Sequence, residues 1–529
     1  MKTASPDSYS QRLDCIFKRD DLRGVVPGQF DHILAGQAAV AFAQLAASRG
    51  NRIVVGCDAR ESSDALKRSI CRSLLAAAVS VDDLGLCSSE EIYYACGSHA
   101  DRYAGGIMVT ASHNPREYNG MKFLFSGAEP LDAAAMAQLR RRMTALNSSE
   151  PAAASSNGGI QPQLRSLSLR AEWSEALLDR AGMERLPRLE AKLKVVIAAG
   201  NGVGAVAFRP IAQWLEGHGF EFIYLDEQPD GAFPHGVPNP LLPEYMQRLG
   251  NAVRENRADL GIGFDGDADR AGFTDETGRE IIPANVYALV AQCKLAASRQ
   301  SVDAVPPVLM RNICCSQLIP ALFGKSCEVV DTPVGHGQIK LLMRHPRYCR
   351  RVVFAGEHSG HYFYPEFFSI DSGCLTALYM LKALSQAASC GNTLSRQLEK
   401  WRDGYAWSGE INFELPDRQT MFDRMRRIWE LWRAKPGTVA QTVQTDPDTG
   451  LQMPAALAGD YHPETLRFPD LKIICDQGGS GWWLVVRPSG NEPKLRLNLE
   501  AWGPGCAGLC RELTDEIRGI MEGRPLHRR

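Results

Sequence analysis

The chain has 529 residues, of which 44% are hydrophobic and 23% charged, with a formal net charge of −2. At about 150 residues per domain this suits three or four globular domains, and it leaves no broad basic field to recruit nucleic acid or a membrane surface. The first residues lack a signal-type apolar core, and no stretch reaches the roughly 20 apolar residues of a membrane span, so a cytoplasmic protein without membrane contact is expected. The fifteen cysteines are scattered, adjacent only at Cys314-Cys315, and form no CxxC pair; reduced, mostly buried thiols are expected.

Along the chain, apolar strand-like runs alternate with helix-like stretches: residues 53–55 precede 63–78, 193–198 precede 204–215, and 352–355 precede 374–384. This βα rhythm predicts α/β domains with largely buried sheets. Residues 147–162, rich in Ala, Ser, Asn, Gly and Pro, read as a linker. A second boundary is expected after residues 274–278 and a third near 387–413, and the last segment reads as α+β.

Four loops carry chemistry. The first follows the apolar run Gly106-Ile107-Met108-Val109 and reads Thr110-Ala111-Ser112-His113-Asn114-Pro115. Asn114-Pro115 breaks the chain direction, because a residue before proline is pushed out of the helical region. Ser112 then stands at the loop tip with an imidazole beside it and the Lys122 ammonium within reach, a setting for a phosphoryl-carrying serine. An ordinary polar turn is the alternative.

The second loop, Phe264-Asp265-Gly266-Asp267-Ala268-Asp269-Arg270, alternates three carboxylates with small residues. An extended loop points all three one way, and a tight glycine-containing turn also converges them. Bare carboxylates at such spacing repel, and a divalent cation resolves the conflict; an acidic surface turn is the alternative. An EF-hand fits poorly even though Glu276 falls at its twelfth position. Its sixth position needs glycine and holds Arg270, and the flanks read as strands. Oxygen-only ligation by few protein groups suits Mg²⁺.

The third loop, Gly356-Glu357-His358-Ser359-Gly360-His361, offers Glu357 and Ser359 to sugar hydroxyls. Two histidines without further ligands argue weakly for metal. The fourth, Arg487-Pro488-Ser489-Gly490-Asn491-Glu492-Pro493, combines a fixed cation, a hydroxyl, an amide and a glycine-exposed N–H, as a phosphate cradle does. A polar hairpin and a Pro/Gly turn are the respective alternatives.

Taken together in this order, the four loops resemble the α-D-phosphohexomutase family, most closely its bacterial phosphomannomutase/phosphoglucomutase branch, from about residue 15 to about residue 502. Ser112 falls in what looks like the family's phosphoserine loop, Asp265, Asp267 and Asp269 in its metal loop, Glu357 and Ser359 in its sugar loop, and Arg487, Ser489, Gly490 and Asn491 in its phosphate loop. Phe17-Lys18-Arg19-Asp20-Asp21-Leu22-Arg23-Gly24 resembles the N-terminal signature that places Arg23 near the phosphoserine. Thr332-Pro333-Val334-Gly335-His336 resembles a third-domain substrate loop.

The resemblance implies three similar α/β domains and a smaller C-terminal α+β domain around a central cleft: residues 1–155, 163–278, 279–395 and 405–529. It also implies interconversion of hexose 6-phosphate and hexose 1-phosphate, of mannose and glucose, through a 1,6-bisphosphate that doubles as activator. Ser112, Asp265, Asp267 and Asp269 would hold Mg²⁺. Ser112, His113, Lys122, Arg23, Arg270, His336 and His361 are the catalytic candidates. The implied partner is a phosphosugar, and the implied assembly a monomer or dimer.

Three departures stand out. Asp20 replaces a usual tyrosine and would repel a phosphoserine unless it points away. Asn491 stands where threonine is common. Residues 434–480 form a longer segment than the branch usually has. The alternatives are a phosphoglucosamine mutase, a weakened phosphosugar-binding protein, or a calcium-binding structural protein.

Overall fold

The computed structural model describes residues 8–148, 161–187, 189, 191–298, 305–433, 435–447, 450–457, 459–466, 469–489 and 493–524. Most of the expected linker at 147–162, together with Gly490 and Asn491, lies outside the described residues. The chain divides into two compact units, Met1–Ala297 with Ser359–Ser395, and Ser298–His358 with Arg396–Arg529.

The first unit contains two mixed sheets. One runs in the order Leu22–Val25, Tyr118–Phe125, Gly105–Val109, Arg52–Cys57, Ser80–Leu86, Leu164–Ser166. Arg52–Cys57 is parallel to both its neighbours, whereas Tyr118–Phe125 returns antiparallel to Gly105–Val109. Gly105–Val109 is buried along its whole length, as expected of a strand covered on both faces. Helices His32–Ala46, Ser63–Ala76 and Ala133–Ser148 supply Leu34, Phe42, Leu66, Ile70, Leu139 and others to one apolar core against Ile53, Val55, Ile107 and Val109. Asp31 caps the first of these helices by accepting from the N–H groups of Ile33 and Leu34, which satisfies donors that the helix itself cannot.

The second sheet orders Glu280–Ile281, Ala271–Asp275, Leu260–Phe264, Leu193–Ala198, Phe220–Leu225. Leu260–Phe264 lies parallel to Leu193–Ala198 and antiparallel to Ala271–Asp275. The aspartate loop is therefore a hairpin turn at the end of a buried strand. The strand flanks that exclude an EF-hand are present, and Glu276 accepts instead from the Ser395 backbone at 3.3 Å.

In the second unit, Val308–Asn312 lies parallel between Glu328–Thr332 and Val352–Gly356. A six-stranded antiparallel sheet follows the order Tyr405–Glu414, Lys494–Trp502, Gly481–Pro488, Leu471–Asp476, Thr438–Thr445, Gln452–Ala456. Helices Arg418–Trp432 and Cys506–Met521 pack on it through Met425, Ile428, Trp432, Leu513 and Ile517. The long 434–480 segment thus extends this sheet: it supplies the strand Leu471–Asp476 and an edge hairpin, Thr438–Thr445 with Gln452–Ala456. All fifteen cysteines are free and twelve are buried, as expected. Among the described residues no helix is long and apolar enough to cross a membrane.

One buried acid ties distant parts of the first unit together. Glu90, in helix Ser89–Ser98, accepts from Ser372 Oγ and from Cys374 N at 2.9 Å, at the start of helix Gly373–Ser389. Burial pushes its carboxyl up to about 8. The folded state therefore holds this proton more tightly than the unfolded chain, whose glutamate titrates near 4.5. The stabilisation is complete below the lower value and is lost as pH rises through the higher one. Thermal midpoints are expected to fall between about pH 5 and 8, by an amount on the order of a few kcal/mol in stability, and Glu90→Gln is expected to flatten that slope. An unaltered slope in the variant would remove Glu90 as its source.

Candidate active site

The loop after Gly105–Val109 is shaped before any ligand is considered. Asp58, at the end of the neighbouring strand, accepts from Thr110 Oγ1 at 2.7 Å, and Thr110 Oγ1 in turn accepts from Ser112 N at 2.8 Å. Arg60 donates to the carbonyls of Ser112, Asn114, Pro115 and Tyr118 at 2.6–2.9 Å. Arg23 reaches the same loop through Ala111 O at 3.3 Å and Asn114 Oδ1 at 2.8 Å, while ion-paired to Asp21 at 2.7 Å. Held this way, Ser112 adopts φ +50°, a left-handed conformation unusual for serine and typical of functional loops. Gly266 permits the close approach of the aspartate loop: a Cβ there would meet Ser112 O at 2.5 Å.

Ser112 Oγ donates to Asp265 Oδ2 at 2.7 Å, accepts from Arg270 Nη2 at 3.2 Å, and lies 3.1 Å from His113 Nδ1. Burial, with Arg270 and Arg23 nearby, pushes the His113 imidazole well below its ordinary value. The three aspartates are buried and converge, offering one oxygen each within 4.8 Å of one another. Ala268, at φ +64°, makes the turn that brings them together. Arg270 binds Asp265 Oδ2 at 2.9 Å. Ser89, at the start of its helix, donates its hydroxyl to Asp267 Oδ2 at 2.6 Å and its N–H to Asp267 O at 3.0 Å. Tyr93 donates to Asp269 Oδ2 at 3.2 Å.

The Lys122 ammonium ion-pairs with Asp267 at 2.6 Å and with Asp269. The physical reason is the convergence itself, since the densest negative charge nearby is on those two carboxylates. Burial pushes Asp267 up, but the Lys122 charge and the Lys122 and Ser89 hydrogen bonds outweigh it and hold the carboxyl well below its ordinary value. Burial raises Asp265 despite the Arg270 guanidinium.

The donor set fits a hard divalent cation. All candidate ligands are oxygens, and Asp267 Oδ1 and Asp269 Oδ1 are buried without a hydrogen-bond partner among the described residues. Buried lone pairs so left are costly unless a ligand takes them. Asp269 also belongs to a second group with His361 and Asp371, in which His361 Nδ1 meets Asp371 Oδ2 at 2.7 Å.

The second unit holds its own polar set. Glu357, almost fully buried, accepts from Asn312 Nδ2 at 3.0 Å and from Gly335 N at 2.8 Å, which fixes the sugar-loop candidate against the Thr332–Gly335 turn. His358 contacts Asn312 at 3.1 Å and Glu410 Oε2 at 3.5 Å. Glu410 also accepts from Arg487 Nη2 at 3.4 Å and Arg496 Nη1 at 3.2 Å. Arg487 Nε is buried without a partner among the described residues. Ser489 N bonds to Lys494 O at 2.7 Å, closing the loop's base. His336 starts helix His336–Arg344, 3.4 Å from Lys340 Nζ. Ser359 is half-buried. Asp20 turns to Arg19 at 3.3 Å.

The sequence reading assigned no role to Arg60, Asp58, Ser89, Tyr93, Glu90, Asp371 or Glu410. Asp58 and Arg60 carried a signal, being charged residues directly after a buried parallel strand, where α/β sheets place their sites. The others carried none, since they are brought in by helices and strands remote in sequence.

Family models of phosphoglucomutase/phosphomannomutase match the chain in four consecutive pieces: alpha/beta/alpha domain I over residues 14–150, domain II over 171–278, domain III over 285–403, and the C-terminal domain over 410–504. The chain belongs to the phosphoglucomutase/phosphomannomutase family. It is 33% identical over 516 residues to the phosphohexose mutases of Xanthomonas campestris pv. campestris, covering 96% of this chain and 99% of that relative. A phosphomannomutase of Escherichia coli is 29% identical over 513 residues, covering 97% and 100%. The crystal structure of a phosphoglucomutase/phosphomannomutase family protein from Burkholderia thailandensis superposes with TM-score 0.71 at 23% identity, covering 96% and 97%, and so shares the fold. This member of the phosphoglucomutase/phosphomannomutase family is accordingly a phosphohexomutase, an isomerase with three α/β domains and a C-terminal domain.

Two outcomes follow for the site. Arg60→Ala leaves Asp58 buried without its cation and four carbonyls without their donor; a loss of about 3–5 kcal/mol is expected in urea denaturation. An effect below about 1 kcal/mol would show that the loop does not depend on it. Asp267→Asn is expected to weaken Mg²⁺ binding by about tenfold or more in calorimetric titration, and unchanged affinity would remove Asp267 from the ligand set.

Proposed function

We propose that this phosphohexomutase interconverts the 6- and 1-phosphates of mannose and glucose, using Ser112 as a phosphoryl carrier and a hexose 1,6-bisphosphate as intermediate and activator. The observation that carries the reading is the setting of Ser112 Oγ, 2.7 Å from Asp265 Oδ2 and 3.2 Å from Arg270 Nη2, on a strained loop against three converging carboxylates. The relatives named phosphohexose mutases and phosphomannomutase support the substrate class.

In this reading Asp265, Asp267, Asp269 and a phosphoserine oxygen hold Mg²⁺, which when bound supplies charge neutralisation for the transferring phosphoryl group. Arg270 and Arg23 add fixed positive charge around Ser112. Arg487, Ser489, Gly490 and Asn491 bind the phosphate already on the sugar, and Glu357 and Ser359 bind ring hydroxyls. The phosphoryl group leaves Ser112 Oγ for the free sugar hydroxyl, the bisphosphate reorients, and its other phosphoryl group returns to Ser112. The hydroxyl proton needs an acceptor. His113, 3.1 Å from Ser112 Oγ, and His361, 2.7 Å from the Asp371 carboxylate, are the candidates in the same unit. Lys122 and His336 remain phosphate-contact candidates.

The test is a coupled assay with Mg²⁺ and a trace of glucose 1,6-bisphosphate on mannose, glucose and glucosamine 1-phosphates. Turnover of the first two and little of the third is expected, with loss of turnover and of covalent phosphate in Ser112→Ala. Turnover confined to glucosamine 1-phosphate would keep the mechanism and replace the sugar. Normal turnover by Ser112→Ala would sink the phosphoserine role.

A further inference from the structure

Phe233 stands in a backbone conformation that its side chain disfavours. Its φ is +46°, an outlier for a bulky residue, and such strain persists where the surroundings over-determine it and clusters at functional sites. The segment leaves the strand Phe220–Leu225 at Asp226, which pairs with Arg248 Nη2 at 2.9 Å, and continues as Pro229-Asp230-Gly231-Ala232-Phe233-Pro234. Local donors close it into a tight turn: Ala232 N donates to Asp230 Oδ1 at 2.9 Å and Phe233 N to Asp230 O at 3.0 Å.

This turn is built onto two others. Gly231 packs its backbone on the turn after Arg52–Cys57, where a Cβ would overlap Glu61 N and stand 2.6 Å from Ala59 O. Asp230 N donates to Asn201 O at 2.9 Å, and Asn201 Nδ2 donates to Gln228 O at 2.9 Å. Two residues beyond Asn201, Val203 N donates to Gly266 O in the aspartate loop at 3.2 Å.

The packing delivers the Phe233 ring to Arg60. The ring is almost fully buried, and the guanidinium carbon lies over it, 5.3 Å from its centroid. The Arg60 terminal nitrogens are already committed, Nη1 to Pro115 O and Tyr118 O and Nη2 to Ser112 O and Asn114 O, while Nε stands 3.3 Å from Asp58 Oδ2. Attraction between the cation and the negative face of an aromatic ring adds to these bonds without competing for a donor, and it is strongest where water is excluded.

The geometry points to Phe233 as a positioning residue for the Ser112 loop: its ring holds the Arg60 guanidinium in register with the four carbonyls and so keeps Ser112 Oγ aimed at Asp265. The inference rests on the Ser112 reading above and deepens it by naming a residue outside both loops that aligns them. Ser112 keeps φ +50° because Thr110 holds its N–H and Arg60 its carbonyl. A guanidinium free to shift lets that carbonyl relax and carries Oγ off the line of transfer, where a displacement of about 1 Å costs on the order of 10²-fold in rate.

A plain apolar filler at position 233 behaves differently, because its effect depends on volume and not on ring electronics. The experiment therefore compares wild type, Phe233→Leu and the full-length protein carrying trifluorophenylalanine at position 233; fluorination keeps the ring and drains the negative face that attracts a cation. Three quantities are read: kcat and KM for hexose 1-phosphate with Mg²⁺ and a trace of glucose 1,6-bisphosphate, covalent phosphate on Ser112, and hydrogen exchange of the amides of residues 110–118. Expected is a fall in kcat of roughly ten- to a hundredfold in Phe233→Leu and roughly threefold or more in the fluorinated protein, with KM within about twofold. Exchange is expected to quicken across 110–118 in both and to stay unchanged in the strand Gly105–Val109. In an enzyme that turns over, an unchanged kcat or an unchanged loop exchange in the fluorinated protein overturns the proposal, and this result decides the matter even where Phe233→Leu fails to fold. Faster exchange spread through the whole first sheet also overturns it, as general destabilisation. If wild type takes no phosphate on Ser112, the carrier reading falls by itself, and the exchange of 110–118 in the fluorinated protein still decides whether Phe233 positions the loop.

Discussion

Three aspartates made to converge inside the protein are the constraint on which the rest of the first unit depends. Two like charges about 4 Å apart repel by roughly 4 kcal/mol at the effective dielectric of a protein site, and here three buried carboxylates come within 4.8 Å of one another. The chain answers with cations and donors from every side. Lys122 comes from a strand of the first sheet, Arg270 from the loop's own end, and Ser89 and Tyr93 from one helix. Each answer also fixes a structural relation. Ser89 ties its helix to the aspartate loop, and Lys122 ties the first sheet to the hairpin of the second. Arg270 spans Asp265 and Ser112, so the residue that relieves repulsion also places positive charge on the serine hydroxyl. Two aspartate oxygens, Asp267 Oδ1 and Asp269 Oδ1, are left without donors among the described residues.

The serine loop depends on this arrangement in a second way. Its carbonyls point at Arg60 and its side chain at Asp265, so the φ of +50° at Ser112 is held by contacts on both sides. Such a conformation costs on the order of 1 kcal/mol or more and persists only where the surroundings over-determine it. In the second unit a comparable hub is built around one carboxylate. Burial pushes Glu410 up, but His358, Arg487 and Arg496 hold it well below its ordinary value. One acid thus links the sugar-loop and phosphate-loop candidates through His358 and Arg487.

Two departures from the family pattern fall among the described residues, Asp20 and much of the 434–480 segment. Asp20 pairs with Arg19 at 3.3 Å. The long 434–480 segment supplies an edge hairpin and the adjoining strand of the antiparallel sheet, with Val443 joining Trp483 and Val485 in an apolar cluster.

The sequence by itself determined the strand–helix rhythm, the four loops and their order, because local apolar periodicity and glycine-proline punctuation are readable residue by residue. It placed Ser112, Asp265, Asp267 and Asp269 on loops, whereas Arg487 lies near the end of the strand Gly481–Pro488, and it excluded the EF-hand through Arg270 and the strand flanks. Only the tertiary structure decided that Lys122 pairs with Asp267 and Asp269, that Arg60 clamps four carbonyls, and that His361 meets Asp371. Those outcomes turn on which charges are nearest in space and on how deeply each is buried. Electrostatic energy depends on distance and local dielectric, and neither is written in the spacing of residues along a chain.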